Sequence, residues 1–556
     1  MKQSNNLLLS LIIIFCSASA FSQGLMDPKI VFTHADTLRG TLRDERTCYD
    51  VTFYDLTVKV NPETKFIEGS CTITYNVIED FTRMQIDLFQ VMKINKILFN
   101  NIELKYTREE AAVWVDFPDV QKNGTHGAIT ITYSGNPIIA KKAPWDGGFV
   151  FTKDKEEKTW IGVACEGMGA SSWWPCKDHL SDEPDSMALN IIVPSGLKAI
   201  GNGSMRKVND LGDGYTEFEW FISYPINTYN VTLNIGNYIY FNDSYQGVNG
   251  YLDLEYYVMP YNLEKAKKQF AQVKPMMECY EKFLSPYPFY KDGYALVETP
   301  YLGMEHQGAI AYGNGYKTGY AGMDFSGIGL DFDYIIIHET GHEWWGNNVS
   351  MADIADMWIH EGICTYSEII YVECIHGYEI ACDYAVAQRN GIGNEETLIG
   401  PYGVNKEGSG DMYPKGANLM HTLRHVLDND DKWWQIVYGI QTDFAKQTVS
   451  TAQIENYISE KAGMNFSKIF DQYLRHAAIP VFEYKLKQKG KKLTLSYRWV
   501  ADVADFNMRF KVTTSKDKME FISPTTEWQS MSLTDMIAED FKTDVRYFYV
   551  TIREVE

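Results

Sequence analysis

The chain has 556 residues, 45% of them hydrophobic, with 51 Lys+Arg against 73 Asp+Glu and a formal net charge of −22. That length exceeds one hydrophobic core and implies two to four domains. The acidic balance, with no basic run to offset it, excludes a surface built for nucleic acid or anionic lipid, because phosphate contacts need clustered Lys and Arg.

The first twenty residues read as an export signal. Lys2 supplies a positive start, residues 7–15 are apolar except for Ser10, and Ala18-Ser19-Ala20 is a small-x-small cleavage site, so the mature chain is expected to begin at Phe21. The run is too short to span a bilayer. No later stretch reaches eighteen uninterrupted apolar residues, so no integral membrane anchor is expected. Cys16 offers lipid attachment as an alternative, but bulky Phe15 sits where a small residue usually precedes a lipidated cysteine. The expectation is a secreted or periplasmic protein. Eight cysteines then remain in the mature chain. Their 105 pairings leave bridges and buried free thiols equally open.

From about residue 25 to 255 the pattern is that of strands. Residues 71–77, 128–133 and 229–235 alternate apolar and polar positions, with turns such as Asn202-Gly203 between strands. Near Asn262, a plausible helix N-cap, the texture changes. Residues 263–283 have helical spacing with a kink or break at Pro275, and helices are expected over 334–345, 358–375 and 414–427. Residues 390–412 form a loop rich in Gly and Asn. Strands return at 492–500 and 507–513. The fold class expected is multidomain α+β: a β-domain over 21–255, a mainly helical catalytic domain over 256–480 and a small C-terminal β-sandwich over 481–556.

The strongest chemical signal is His338-Glu339-Thr340-Gly341-His342. On a helix, positions i and i+4 share a face, so both imidazoles can reach one ion. After eighteen intervening residues, Glu361 is the first acid of the next helical segment. Two histidines and a carboxylate leave one corner of a tetrahedral zinc open for water. Glu339 is then the expected general base, and Glu368, two turns after Glu361, could fix the tautomer of a ligating histidine. A second pair, His421 and His425, has the same spacing. It lacks an adjacent Glu, has Arg424 between its members and is followed by no acid at a metal-like distance, so it reads as a helix face near the site.

With these residues in place, the sequence resembles the aminopeptidase N and leukotriene hydrolase family of gluzincin metallopeptidases. Trp344-Trp345-Gly346-Asn347 resembles the family's W-x-G-N run, and Trp358-Ile359-His360-Glu361-Gly362 its W-L-N-E-G, with His360 for Asn. Gly303-Met304-Glu305-His306 is similar to the exopeptidase motif G-x-M-E-N in a shorter form, with His306 for Asn. The resemblance implies a saddle-like N-terminal β-domain, a thermolysin-like catalytic domain and one zinc ion per chain. It implies that Glu305, flanked by Gly303 and Met304, and Glu166, before Trp173-Trp174-Pro175-Cys176, hold the free α-ammonium of a peptide. Tyr413, in Tyr413-Pro414-Lys415-Gly416, resembles the family tyrosine that stabilises the oxyanion, and Pro414 fits the first position of a helix.

No counterpart of the longer members' C-terminal helical array is expected after the β-module. The cleft is expected to be open, or closed by a second copy of the chain as a homodimer. The function expected is a zinc-dependent aminopeptidase acting on peptides with a free N-terminus. The alternatives are a zinc endopeptidase with the same metal site and a non-catalytic peptide-binding relative.

Overall fold

The structure, a computed structural model, describes residues 33–556 except 491, 517 and 534; the expected export signal, with Cys16, lies outside the described residues. Residues with alternating burial build an eight-stranded sheet in the N-terminal half. At its centre, strand Tyr49–Asn61 pairs antiparallel with Phe66–Val77 and parallel with Ser186–Pro194. A smaller sheet contains Lys198–Gly201, Leu233–Gly236, Thr159–Ala164 and Gly148–Lys153. Strand Thr159–Ala164 is wholly buried over its last four residues and delivers the chain to Glu166.

Hairpin Ile239–Gly247/Gly250–Val258 hydrogen-bonds onward to the second half of the molecule. It joins Tyr294–Glu298, Ile310–Tyr312 and Gly303–Met304 in a five-stranded mixed sheet. Gly303–Met304 lies at the edge of that sheet, antiparallel to Ile310–Tyr312. Helices Tyr334–Gly341, Trp358–His376, Tyr378–Gln388 and Met412–Leu427 follow. The C-terminal strands Val481–Lys489, Lys492–Val500, Gln529–Leu533 and Thr551–Glu554 form a four-stranded sheet. Phe482, Trp499 and Phe510 from this region share one core with the helices and the five-stranded sheet. The N-terminal half has its own core.

Four local readings change. Residues 228–230 are a 3-10 turn, and of the expected strand 229–235 only residues 233–235 belong to a strand, Leu233–Gly236. The alternation there misleads because its polar positions, Asn230, Thr232 and Asn234, are buried too. The helical stretch after Asn262 breaks at 270–272, so Pro275 stands in the first turn of helix Val273–Phe283. The helix from Tyr334 ends at Gly341 rather than at 345, where the chain tightens toward Gly346, whose φ of +118° lies in the left-handed region. Pro414 is the third residue of helix Met412–Leu427, not the first. The whole first turn lacks intrahelical acceptors for its N–H groups, so proline costs nothing there.

Among the described residues one disulfide joins Cys279 to Cys374, and six other cysteines are buried and free. The bridge closes a 95-residue separation that encloses Glu305, His338, Glu339, His342, Glu361 and Glu368. No helix of the described residues is long and apolar enough to cross a membrane.

Candidate active site

Helix Tyr334–Gly341 is buried along its whole length and starts on Asp333, whose carboxylate accepts from the N–H groups of Ile335 and Ile336. The Asp333 side chain also accepts from Tyr312 and Asn314, which fixes the helix start to the five-stranded sheet. The helix presents His338 and, at its end, His342 to Glu361 in the first turn of Trp358–His376. His338 Nε2, His342 Nε2 and Glu361 Oε2 form a triangle with sides of 3.3, 3.4 and 3.5 Å. A tetrahedral ion with bonds of about 2.0–2.1 Å needs ligand atoms about 3.3–3.4 Å apart. Glu361 Oε2 is buried without a conventional hydrogen-bond partner. The three residues therefore fit a zinc-sized divalent ion.

The far side of each imidazole is held. His338 Nδ1 lies 2.7 Å from Glu368 Oε1, and His342 Nδ1 lies 2.8 Å from the Trp345 carbonyl. Both partners are acceptors, so both Nδ1 atoms carry the proton and both Nε2 lone pairs point inward. Glu368 is fixed in turn, because its Oε2 accepts from Tyr384 (2.6 Å) and Gln388 (3.1 Å).

Glu339 is buried against the sheet edge. A Cβ at Gly303 would lie 2.5 Å from Glu339 Oε1, so only glycine lets the edge strand come this close. Burial pushes the Glu339 carboxyl up to about 7, with Glu305 and Glu361 adding to the rise and His338 and His342 opposing it. Side chains alternate along a strand, so Gly303 and Glu305 face this side. Met304 points the other way into the N-terminal core and leaves only its backbone at the site.

Glu166 from the N-terminal half meets Glu305 and Glu361, each offering an oxygen within 4.8 Å of the others. Glu305 accepts from the Tyr229 hydroxyl at 2.9 Å. Glu166 Oε1 is shut from solvent and unpartnered. Burial, then mutual repulsion with neighbouring glutamates, raises the Glu166 pKa well above the carboxylate range; burial also raises that of Glu305. Such a cluster favours an incoming cation.

Tyr413 completes the ring of residues. Its ring lies over His338 with centroids 6.1 Å apart. Burial and the nearby Glu361, Glu166, Glu305 and Glu339 raise its pKa well above 10, which keeps the hydroxyl a donor. It is brought here by a glycine contact between helices. A Cβ at Gly416 would lie 2.7 Å from Gly362 Cα, and one at Gly362 2.7 Å from the Met412 carbonyl.

Several residues around the site were given no role by the sequence, although Asn347, His360 and His306 stand in its motifs. Asn347 donates to the Glu305 carbonyl at 3.0 Å and accepts from Asn230 at 2.6 Å, which ties the halves together. Glu343 Oε1 accepts from the Gly308 N–H at 2.9 Å. Tyr287 Oη is 3.1 Å from both the Gly293 carbonyl and Glu343 Oε2. One phenol proton cannot serve both. A protonated Glu343 donating to Tyr287, which donates to Gly293, satisfies every group, in line with burial lifting the Glu343 pKa to about 8. His360 Nε2 accepts from the Met351 N–H at 2.7 Å, and His306 is buried with neither nitrogen paired. Burial holds both histidines neutral, with pKa values near 3.

Fold and site define the class of helix-borne metal centres built by two histidines and a glutamate of the following helix. Residues 261–473 match the Peptidase family M1 domain and residues 51–230 the Peptidase M1 N-terminal domain. The chain belongs to peptidase family M1. It is 22% identical over 424 residues to a leucyl aminopeptidase of Saccharolobus solfataricus, which covers 73% of this chain and 51% of that protein. It is 22% identical over 485 residues to aminopeptidase N of Lactobacillus helveticus, covering 83% and 55%. The chain thus spans about half the length of the curated relatives it matches. A mutant M1 zinc metallopeptidase of Deinococcus radiodurans, solved with a Tyr-Ser-Ala substrate, shares the fold. Its TM-score is 0.64 over 77% of this chain and 94% of that one, at 19% identity.

Proposed function

We propose that this protein is a zinc-dependent aminopeptidase that removes the first residue of peptides with a free N-terminus. The observation that carries this reading is the meeting of Glu166 and Glu305 beside Glu361, each with an oxygen within 4.8 Å of the others. A peptide's α-ammonium between Glu166 and Glu305 gains charge-assisted hydrogen bonds, and its first carbonyl then falls beside the histidines. An internal stretch of peptide leaves the same buried carboxylates uncompensated, which disfavours endopeptidase action.

Zinc held by His338, His342 and Glu361 would supply a Lewis acid and lower the pKa of water. Glu339, poised near neutrality, takes a proton from the attacking water and returns it to the departing amine. The Tyr413 hydroxyl donates to the oxygen on which negative charge develops, an interaction worth about 3 kcal/mol in comparable sites. Glu368 keeps His338 in the tautomer whose Nε2 faces inward.

We also place the protein outside the cytosol, with residues 1–20 removed on export. The Cys279–Cys374 bridge supports this, because structural disulfides belong to oxidising compartments.

Paired peptides, free and N-acetylated, test the reading with and without a chelator. Release of single residues from the free peptide alone, stopped by the chelator, is the expected result. Equal cleavage of both peptides would overturn the ammonium anchor.

A further inference from the structure

The second histidine pair acquires a partner in three dimensions. His421 and His425 lie on helix Met412–Leu427, and Cys382 comes from the neighbouring helix Tyr378–Gln388. One ring nitrogen from each histidine and Cys382 Sγ all lie within 4.8 Å of one another, and all three residues are buried. The histidine ring centroids are 4.3 Å apart.

Two features of the cluster point to a bound ion. His421 is 0% exposed, and neither of its ring nitrogens has a well-formed hydrogen bond, only a weak approach to the Arg546 backbone. A buried imidazole in that state is costly unless something fills it. His425 repeats the arrangement of His338: its Nδ1 donates to the His421 carbonyl at 2.6 Å, so Nε2 is the ring's acceptor. The Tyr378 hydroxyl lies 2.8 Å from that Nε2 and donates to it, so it turns aside when an ion takes the lone pair.

Both imidazoles are in the ligating, neutral form. Burial, and after it the other histidine and nearby arginines, hold His421 well below the usual range, and burial brings His425 to about 4. Of the arginines near the cluster, Arg424 is paired with Glu373 and Asp430 and Arg546 with Glu379 and Asp383, while Arg389 is held by Asn418 and by the Val545 and Arg546 carbonyls. Burial pushes the Cys382 thiol up to about 12, and the positive charge of Arg546 and Arg424 only partly offsets it, so the incoming ion itself must displace the thiol proton.

We propose that Cys382, His421 and His425 form a second metal site, a thiolate with two imidazoles, suited to a borderline-soft d-block ion such as zinc. Calcium and magnesium are disfavoured, because they need several oxygen ligands. On binding, a metal–sulfur bond forms as the Cys382 S–H bond breaks, and the proton leaves to solvent, one per ion. The ion is structural. It joins two helices beside the C-terminal segment, where the His425 ring stacks on Tyr547 at 4.5 Å. The helix it pins also carries Tyr384 and Gln388, the donors that hold Glu368.

The test uses the full chain and cobalt as probe. With the first pair silenced by His338→Ala and His342→Ala, the protein should bind one equivalent of Co2+ and show near-ultraviolet thiolate-to-cobalt absorption. Adding Cys382→Ser should abolish that absorption. Adding Cys364→Ser should leave it, although Cys364 Sγ lies within 4.8 Å of the first pair's ligand atoms. No cobalt binding, or absorption that follows Cys364, overturns the proposal. If the silenced protein does not fold, metal analysis of the unmutated chain decides. Two equivalents of zinc, one of them lost in Cys382→Ser while peptide hydrolysis persists, is the expected result; a single equivalent, unchanged by Cys382→Ser, overturns it.

Discussion

The two His-x-x-x-His pairs share one helical spacing and have opposite surroundings. His338 and His342 sit among carboxylates, with Glu361 closing the triangle, Glu368 behind one ring, and Glu339 and Glu305 close by. His421 and His425 sit among arginines, and the third donor is a thiol from a neighbouring helix. Spacing aligns two imidazoles, but it does not decide what they do. That is set by the acceptor behind each ring and by the third group that arrives from elsewhere in the chain. Carboxylates around the first pair can move protons and hold a cationic substrate. A thiol in a closed pocket around the second can hold an ion and little else.

The sharpest way to break the comparison is Glu339→Gln, which removes the base beside the first pair and leaves its ligands intact. Turnover should fall about 10²–10⁴-fold while metal content is unchanged; near-normal turnover would remove Glu339 from the reaction. Next in size is Gly416→Ala. The added methyl would meet Gly362 Cα at 2.7 Å and push Tyr413 away from His338. A displacement near 1 Å can cost about 100-fold in kcat, and steady-state kinetics with the variant's crystal structure would show whether the two changes go together. Glu368→Gln should weaken metal affinity about 10–100-fold, read by competition with a chelator, and unchanged affinity would show that the tautomer is fixed without it.

The smallest effect concerns Glu343. Its folded pKa is raised to about 8, above the ordinary 4.5, chiefly by burial. Between those values the folded state holds more protons than the unfolded state, so this group's contribution to stability declines as pH rises. Glutamine has no such proton to lose. The melting temperature of Glu343→Gln relative to the unmutated protein should therefore improve from pH 5 to pH 9, by an amount on the order of a few degrees. A difference that does not vary with pH would refute a protonated Glu343.

What the sequence made legible was chemistry that recurs at short range. His338, Glu339 and His342 declare themselves within five residues, Glu361 is the first acid of the next helical segment, and Glu368 follows it by helical spacing. The β-rich, helical and β-rich order along the chain was readable from periodicity. The supporting residues were not, because their partners are remote and their types ordinary. Tyr229 reaches Glu305 across 76 positions, and Asn230 reaches Asn347 across 117. Gly362 and Gly416 gain meaning only when their helices cross. Cys382 precedes the second histidine pair, so a search for an acid after His425 could not find it.

The Cys279–Cys374 bridge changes what a single cut can do to this molecule. Residues 321–324 are exposed, and they lie between the bridged cysteines. A nick there divides the backbone into one piece with Glu166 and Glu305 and another with His338, His342, Glu361 and Tyr413. Neither piece can drift off, because the bridge still joins them, and the sheet and helix contacts around the cut stay in place. Nicked protein would run as one species on a gel until a reducing agent is added, and would keep its substrate anchor and its metal ligands within reach of each other until then.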